Sequence, residues 1–272
     1  MRRGLLFIFM ILMVGSELRA QGATPLRTLM TGDDSRGWHA VGRLNIGDES
    51  FCTGALIAEN LVLTAAHCMF DMNTGVRMND GDIQFLADWR GGRAAAYRGV
   101  KRSIVHPDFA VEKATFVDRV AFDVALLELD QPIRNSTIAP FSIEARPANG
   151  AEVGVVSYAH DRADSPSLQE VCHVLARQNG SLVLSCDVDF GSSGAPIFVV
   201  ENGQPRIVSV VSAKAKVQGK PVALGTALEA PLAELMAMHG SSDGVFGTEK
   251  PAVRRLTLTN TVSSTGAKFL RP

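Results

Sequence analysis

The sequence predicts an all-β protein, a sandwich or a barrel. The apolar runs are short, turn residues interrupt them at frequent intervals, and only one stretch has helical character. In chain order the strand candidates are Ala40-Val41-Gly42-Arg43-Leu44, Gly54 to Ile57, Val120 to Leu129 and Ala151 to Ser157, followed by Ser181 to Leu184, Ile197 to Val200 and Ile207 to Val211. Each is too short for a core helix and is bounded by residues that favour tight turns. The punctuation includes Glu59-Asn60, Asp71 to Gly75 and Glu201-Asn202-Gly203. Many short strands with regular turn signals suit a sandwich or barrel. The exception is Ala230 to Met238, where Pro231 stands near the start and Leu232, Leu235 and Met236 share one face; this predicts a short C-terminal helix.

The chain has 272 residues, a formal net charge of −1, 46% hydrophobic and 20% charged residues. That balance provides ample core and excludes a disordered or nucleic-acid-coating protein. A near-neutral charge gives no long-range attraction to DNA, RNA or an anionic membrane. About 250 residues can make one large domain or two small ones.

The first twenty residues read as a secretory signal. Arg2 and Arg3 form a basic start, Leu5 to Val14 an apolar stretch, and Ala20 precedes the expected cut. Such a stretch is too short to cross a hydrocarbon core of about 30 Å as a helix, so no stable membrane anchor is expected. The expected location is extracellular, or periplasmic if the source has an outer membrane.

The four cysteines fit an oxidising compartment. Cys52 and Cys68 lie on either side of the approach to His67, and Cys172 and Cys186 flank a segment ahead of Ser193. There is no Cys-x-x-Cys and the six histidines are scattered, so no metal and no other cofactor is expected. The residues alone leave three disulfide pairings open.

Three words carry chemistry: Thr64-Ala65-Ala66-His67-Cys68, Asp123-Val124-Ala125-Leu126-Leu127 and Gly191-Ser192-Ser193-Gly194-Ala195-Pro196. Taken singly they suggest a core histidine, a structural carboxylate and a glycine-rich turn. Together, and in this order, they supply a base, a carboxylate that orients it, and a hydroxyl that barely ionises unless a neighbouring base takes its proton. Asp123 is a lone charge in an apolar run, costly to bury without a partner. On composition alone Ser192 competes with Ser193 as the nucleophile.

From about Trp38 to Leu235 the chain resembles the trypsin/chymotrypsin superfamily of serine endopeptidases, and within it the bacterial secreted branch that includes V8-like glutamyl endopeptidases. The resemblance also rests on Phe51-Cys52-Thr53-Gly54-Ala55-Leu56-Ile57 and on Leu61-Val62-Leu63 leading to His67. It implies two six-stranded antiparallel β-barrels, over 36–135 and 136–239, with the active site in the cleft between them. Residues 21–35 would form an N-terminal segment or short propeptide ending near Arg27 or Arg36, and 240–272 a tail outside the match. The implied catalytic residues are His67, Asp123 and Ser193. The N–H groups of Gly191 and Ser193 would form the oxyanion hole, and the implied disulfides are Cys52–Cys68 and Cys172–Cys186. A loop of about 15 residues closed by a bridge is worth roughly 3 kcal/mol on the chain-entropy account.

Alignment with the family's Gly-Asp-Ser-Gly-Gly-Pro places Ser192 at the Asp and Ala195 at the second Gly. The chain also lacks an Ile-Val-Gly-Gly start. Activation through a newly cut amino terminus is therefore not expected, and Phe190 packing and the Cys172–Cys186 bridge are the expected supports of the oxyanion loop. Asp187, six residues before Ser193, matches a pocket-floor carboxylate and points to Arg or Lys before the scissile bond. Ser212, Ala213 and Lys214 are the expected substrate-binding stretch, on a strand that would pair with the substrate backbone. The expected partners are polypeptide substrates of a monomer. Competing readings are a catalytically silent binding protein on this fold, and a protease of glutamyl or other specificity.

Overall fold

The computed structural model describes residues 23–47, 50–111, 116–144 and 147–242. The expected signal and nearly all of the tail lie outside these residues. Among the described residues there are fourteen strands: β1 (Arg27–Thr28), β2 (Val41–Ile46), β3 (Ser50–Ala58), β4 (Leu61–Thr64), β5 (Ile83–Ala87), β6 (Ala96–Val105), β7 (Ala125–Leu129), β8 (Ser142–Ile143), β9 (Glu152–Ala159), β10 (Arg162–Gln178), β11 (Ser181–Leu184), β12 (Pro196–Glu201), β13 (Gln204–Val217) and β14 (Lys220–Ala227). Helix α1 (Phe116–Ala121) precedes β7, and α2 (Glu229–Ser242) follows β14.

Strands β2-β3-β4-β7-β6-β5 form a closed barrel. Its interior is filled by fully buried Leu44, Leu56, Leu63, Phe85 and Leu126. Along β4 and β7 every residue is buried, including Glu128. That carboxylate is tolerated because Lys101 Nζ and Arg102 Nη2 of β6 reach it at 2.6 and 2.7 Å.

The second sheet runs β10-β11-β14-β13-β12-β9, and β9 pairs back onto β10, so these six strands also close on themselves. Val153, Val155, Leu182, Leu184, Ile197 and Val211 form its core around the Cys172–Cys186 disulfide. Phe198 of this sheet packs against Trp38 and Phe141, with ring centroids 5.0 and 4.7 Å apart. Those rings belong to a core shared with the first barrel, so the two barrels meet across a packed seam.

Four features differ from the sequence expectations. The apolar run from Val120 is not one strand: α1 occupies its start, and the chain turns at Phe122 before β7. Strands β5, β6, β10 and β14 lie outside the apolar runs. The longest, β10, alternates buried and exposed residues along part of its length, and its exposed side makes the sequence look polar. Residues 23–31 are laid along β10: Thr24 N–H donates to Val171 O at 2.8 Å, β1 pairs with β10, and Leu29 is fully buried. The C-terminal helix is longer than expected. It starts beside the second barrel yet reaches the first, where Glu234 approaches His106 at 3.4 Å.

Candidate active site

His67 arrives from the first barrel. The buried strand β4 runs into a 3₁₀ turn, Ala66–Met69, that carries the imidazole, and the Cys52–Cys68 disulfide ties this turn back to β3. Asp123 lies between α1 and β7 and is 2% exposed. Three donors converge on its carboxylate. The His67 backbone N–H reaches Oδ1 at 2.8 Å, His67 Nδ1 reaches Oδ2 at 2.7 Å, and Ser212 Oγ donates to Oδ2 at 2.5 Å. Behind it, the Thr226 hydroxyl of β14 is shared between Val120 O at 2.7 Å and Asp123 O at 3.1 Å.

An ionised carboxylate only accepts, so the neutral imidazole carries its proton on Nδ1 and keeps a lone pair on Nε2. Nε2 has the Cys68 sulfur at 3.9 Å and makes no hydrogen bond to oxygen or nitrogen among the described residues. Burial pulls the His67 pKa down. The charge and hydrogen bond of Asp123 outweigh it, against a smaller opposing effect of Arg119, and the result lies above the ordinary imidazole value.

Ser193 comes from the second barrel, on the loop between β11 and β12. Its hydroxyl makes no hydrogen bond among the described residues, to His67 included, and both side chains line one cleft of about 540 Å³. The loop is held by its backbone. Thr53 of β3 donates its N–H to Ser193 O at 2.8 Å and its hydroxyl to Gly191 O at 2.9 Å. Gly194 has φ +75°, and a Cβ there would lie 2.1 Å from Thr64 Oγ1, so only glycine brings the serine loop this close to the strand of His67.

The two expected oxyanion donors are unpartnered among the described residues. The Phe190 carbonyl accepts from His160 N–H at 2.8 Å, and the Ser192 carbonyl from Ala195 N–H at 2.9 Å. In a trans peptide the following N–H points the opposite way, which aims Gly191 and Ser193 N–H away from these bonds. Gly191 has φ +95°, and a Cβ would fall 2.3 Å from the Phe51 ring. Ser192 is fully buried, with Oγ donating to Tyr158 O at 3.2 Å and accepting from Asp189 N–H at 3.3 Å. These contacts order the loop. Phe190, expected to pack, is 71% exposed.

Ser212, Ala213 and Lys214 line the same cleft from β13. β13 pairs with β12 only as far as Val210, so from Ser212 onward that edge carries no strand among the described residues. Asp187 is not in this cleft. It is exposed, lines an adjoining depression, and its N–H is held by Gln169 Oε1 at 2.7 Å. Besides Asp123, the carboxylate that lines the cleft is Asp189, bound to Lys214 Nζ at 2.5 Å. Thr53, Thr226, Arg119 and Asp189 complete the site without a catalytic pattern of their own in the sequence. Only Thr53, inside the Phe51 to Ile57 word, carried a signal.

The trypsin family model matches residues 31–228. Human serine protease 23 is 30% identical over 165 residues, covering 54% of this chain and 43% of the relative. The glutamyl endopeptidase of Bacillus licheniformis is 24% identical over 149 residues, covering 54% and 45%. The chain thus spans less than half the length of these curated relatives. Among solved structures, a Glu endopeptidase in complex with MPD superposes with a TM-score of 0.66 at 17% identity, over 82% of this chain and 98% of that one. The family match covers most of the chain and both of its barrels, and the chain belongs to the trypsin family.

Proposed function

We propose that this chain is a serine endopeptidase that cleaves polypeptides through an acyl-enzyme. Ser193 Oγ attacks the scissile carbonyl as His67 Nε2 takes its proton, and the same nitrogen then returns that proton to the leaving amine. Water, deprotonated by His67, releases the acyl group and restores the hydroxyl. Asp123 keeps Nδ1 protonated and stabilises the imidazolium formed at each step. The N–H groups of Gly191 and Ser193 receive the oxyanion, where one such donor is worth about 3–4 kcal/mol. The free edge of β13 from Ser212 to Lys214 pairs with the substrate backbone.

The observation that carries this reading is the three-donor hold on Asp123, which fixes the His67 tautomer in the cleft shared with Ser193. The missing Ser193–His67 hydrogen bond does not weigh against it, since such bonds tighten when substrate binds. Two disulfides support export to an oxidising compartment, and no described helix is long and apolar enough to cross a membrane. The basic preference expected from Asp187 requires a path from the cleft to that carboxylate.

The test is labelling with an organophosphonate probe followed by peptide mapping. The adduct is expected on Ser193 and lost in Ser193→Ala. An adduct on Ser192, or none on a folded protein, overturns the assignment.

A further inference from the structure

A second depression of about 600 Å³ adjoins the catalytic cleft, and the two share Val188, Asp189 and Lys214. The Asp189–Lys214 ion pair, at 2.5 Å, therefore stands in the wall between them. Lys214 Nζ also rests 4.6 Å above the centroid of the exposed Phe190 ring. Asp187 and Lys216 line the second depression, while Arg119 of α1 lines the cleft. Near the wall the cleft is apolar, with Val188, Val211 and Ala213.

We propose that the Asp189–Lys214 pair is an internal plug that sets the preference for the residue before the scissile bond. Closed, it neutralises the end of the cleft and leaves an apolar seat for an uncharged side chain. Without the ammonium of Lys214 the two depressions join, and Asp189 and Asp187 become a paired acidic floor for an Arg or Lys side chain. Without the carboxylate of Asp189, Lys214 loses its partner at the end of the cleft and favours an acidic side chain. Both partners are about half exposed, so the pair is held weakly and single substitutions open it without disturbing the fold. The cleavage preference rests on the endopeptidase reading, while the plug itself can be read out by binding alone.

The test compares the wild-type chain with Lys214→Ala and Asp189→Ala. Benzamidine, an aromatic amidinium, is titrated by calorimetry, and peptides differing only in Leu, Arg or Glu before the scissile bond are assayed after active-site titration. Expected are wild-type preference for Leu, a rise of about tenfold or more in the Arg-to-Leu ratio and in benzamidine affinity in Lys214→Ala, and a rise in the Glu-to-Leu ratio in Asp189→Ala. Unchanged benzamidine affinity in Lys214→Ala, or a wild-type chain that already prefers Arg, overturns the plug. Tightened benzamidine binding by a protein that titrates no reactive serine supports the plug and sinks the endopeptidase reading instead.

Discussion

Asp123 and Asp189 line one cleft and are held in opposite ways. Asp123 is 2% exposed and accepts three hydrogen bonds, from the backbone and side chain of His67 and from Ser212 of the other barrel. Asp189 is half exposed, bound by one lysine and by the N–H of Phe190. A buried carboxylate needs all of its partners, so its geometry is fixed by the fold. An exposed pair gains little from its partner and gives way to a competing charge. One carboxylate is suited to hold a base in place, and the other to yield to whatever enters the cleft.

The largest break in this comparison is Asp123→Asn. The amide keeps the shape but can donate to Nδ1, which favours the tautomer with the proton on Nε2. Turnover should fall about 10⁴-fold while substrate binding is retained, as read from kcat and KM on one peptide. A loss confined to KM would mean that Asp123 does not act through His67. Next comes Ser212→Ala, which removes one of the three donors. A hydrogen bond to a charged group is worth about 1.5–3 kcal/mol; allowing for the two donors that remain, kcat should drop roughly tenfold. An unchanged kcat would show that the other two suffice. The smallest effect is on stability. Lys214→Ala should change the unfolding free energy by less than about 1 kcal/mol, measured by urea denaturation, and a larger loss would make the exposed pair structural.

The same contrast explains what could be read from the chain. His67 and Ser193 are legible because their neighbours are constrained by the backbone: Gly191 and Gly194 sit at positive φ, where a side chain would strike the facing barrel. Asp123 is legible as a lone charge among buried apolar residues. The sequence points to Ser212 as a substrate contact, and it does line the cleft, yet its hydroxyl is given to a carboxylate 89 residues away. That pairing depends on how the two barrels meet, which no local pattern encodes. Asp187 follows a spacing rule, but the lysine standing between its depression and the cleft pairs with Asp189 across 25 residues and follows a bulge in β13. Whole strands escaped as well. β10 alternates along only part of its length and carries four charged residues among its seventeen, so it never appears as an apolar run.

The raised pKa of His67 links this geometry to pH. Asp123 stabilises the imidazolium, so its contribution to folding is fully present below the unfolded imidazole pKa and is lost as pH rises through the folded value. Catalysis runs the other way, because only the neutral ring can accept the proton of Ser193. The most direct measurement is the rate of organophosphonate labelling of Ser193 between about pH 5 and 9, in the wild-type chain and in Asp123→Asn. With His67 as the base, the wild-type rate should climb with pH through a single midpoint above the ordinary imidazole value, and the variant should react far more slowly. A flat wild-type profile, or equal rates in the two proteins, would contradict activation of Ser193 by the His67–Asp123 pair.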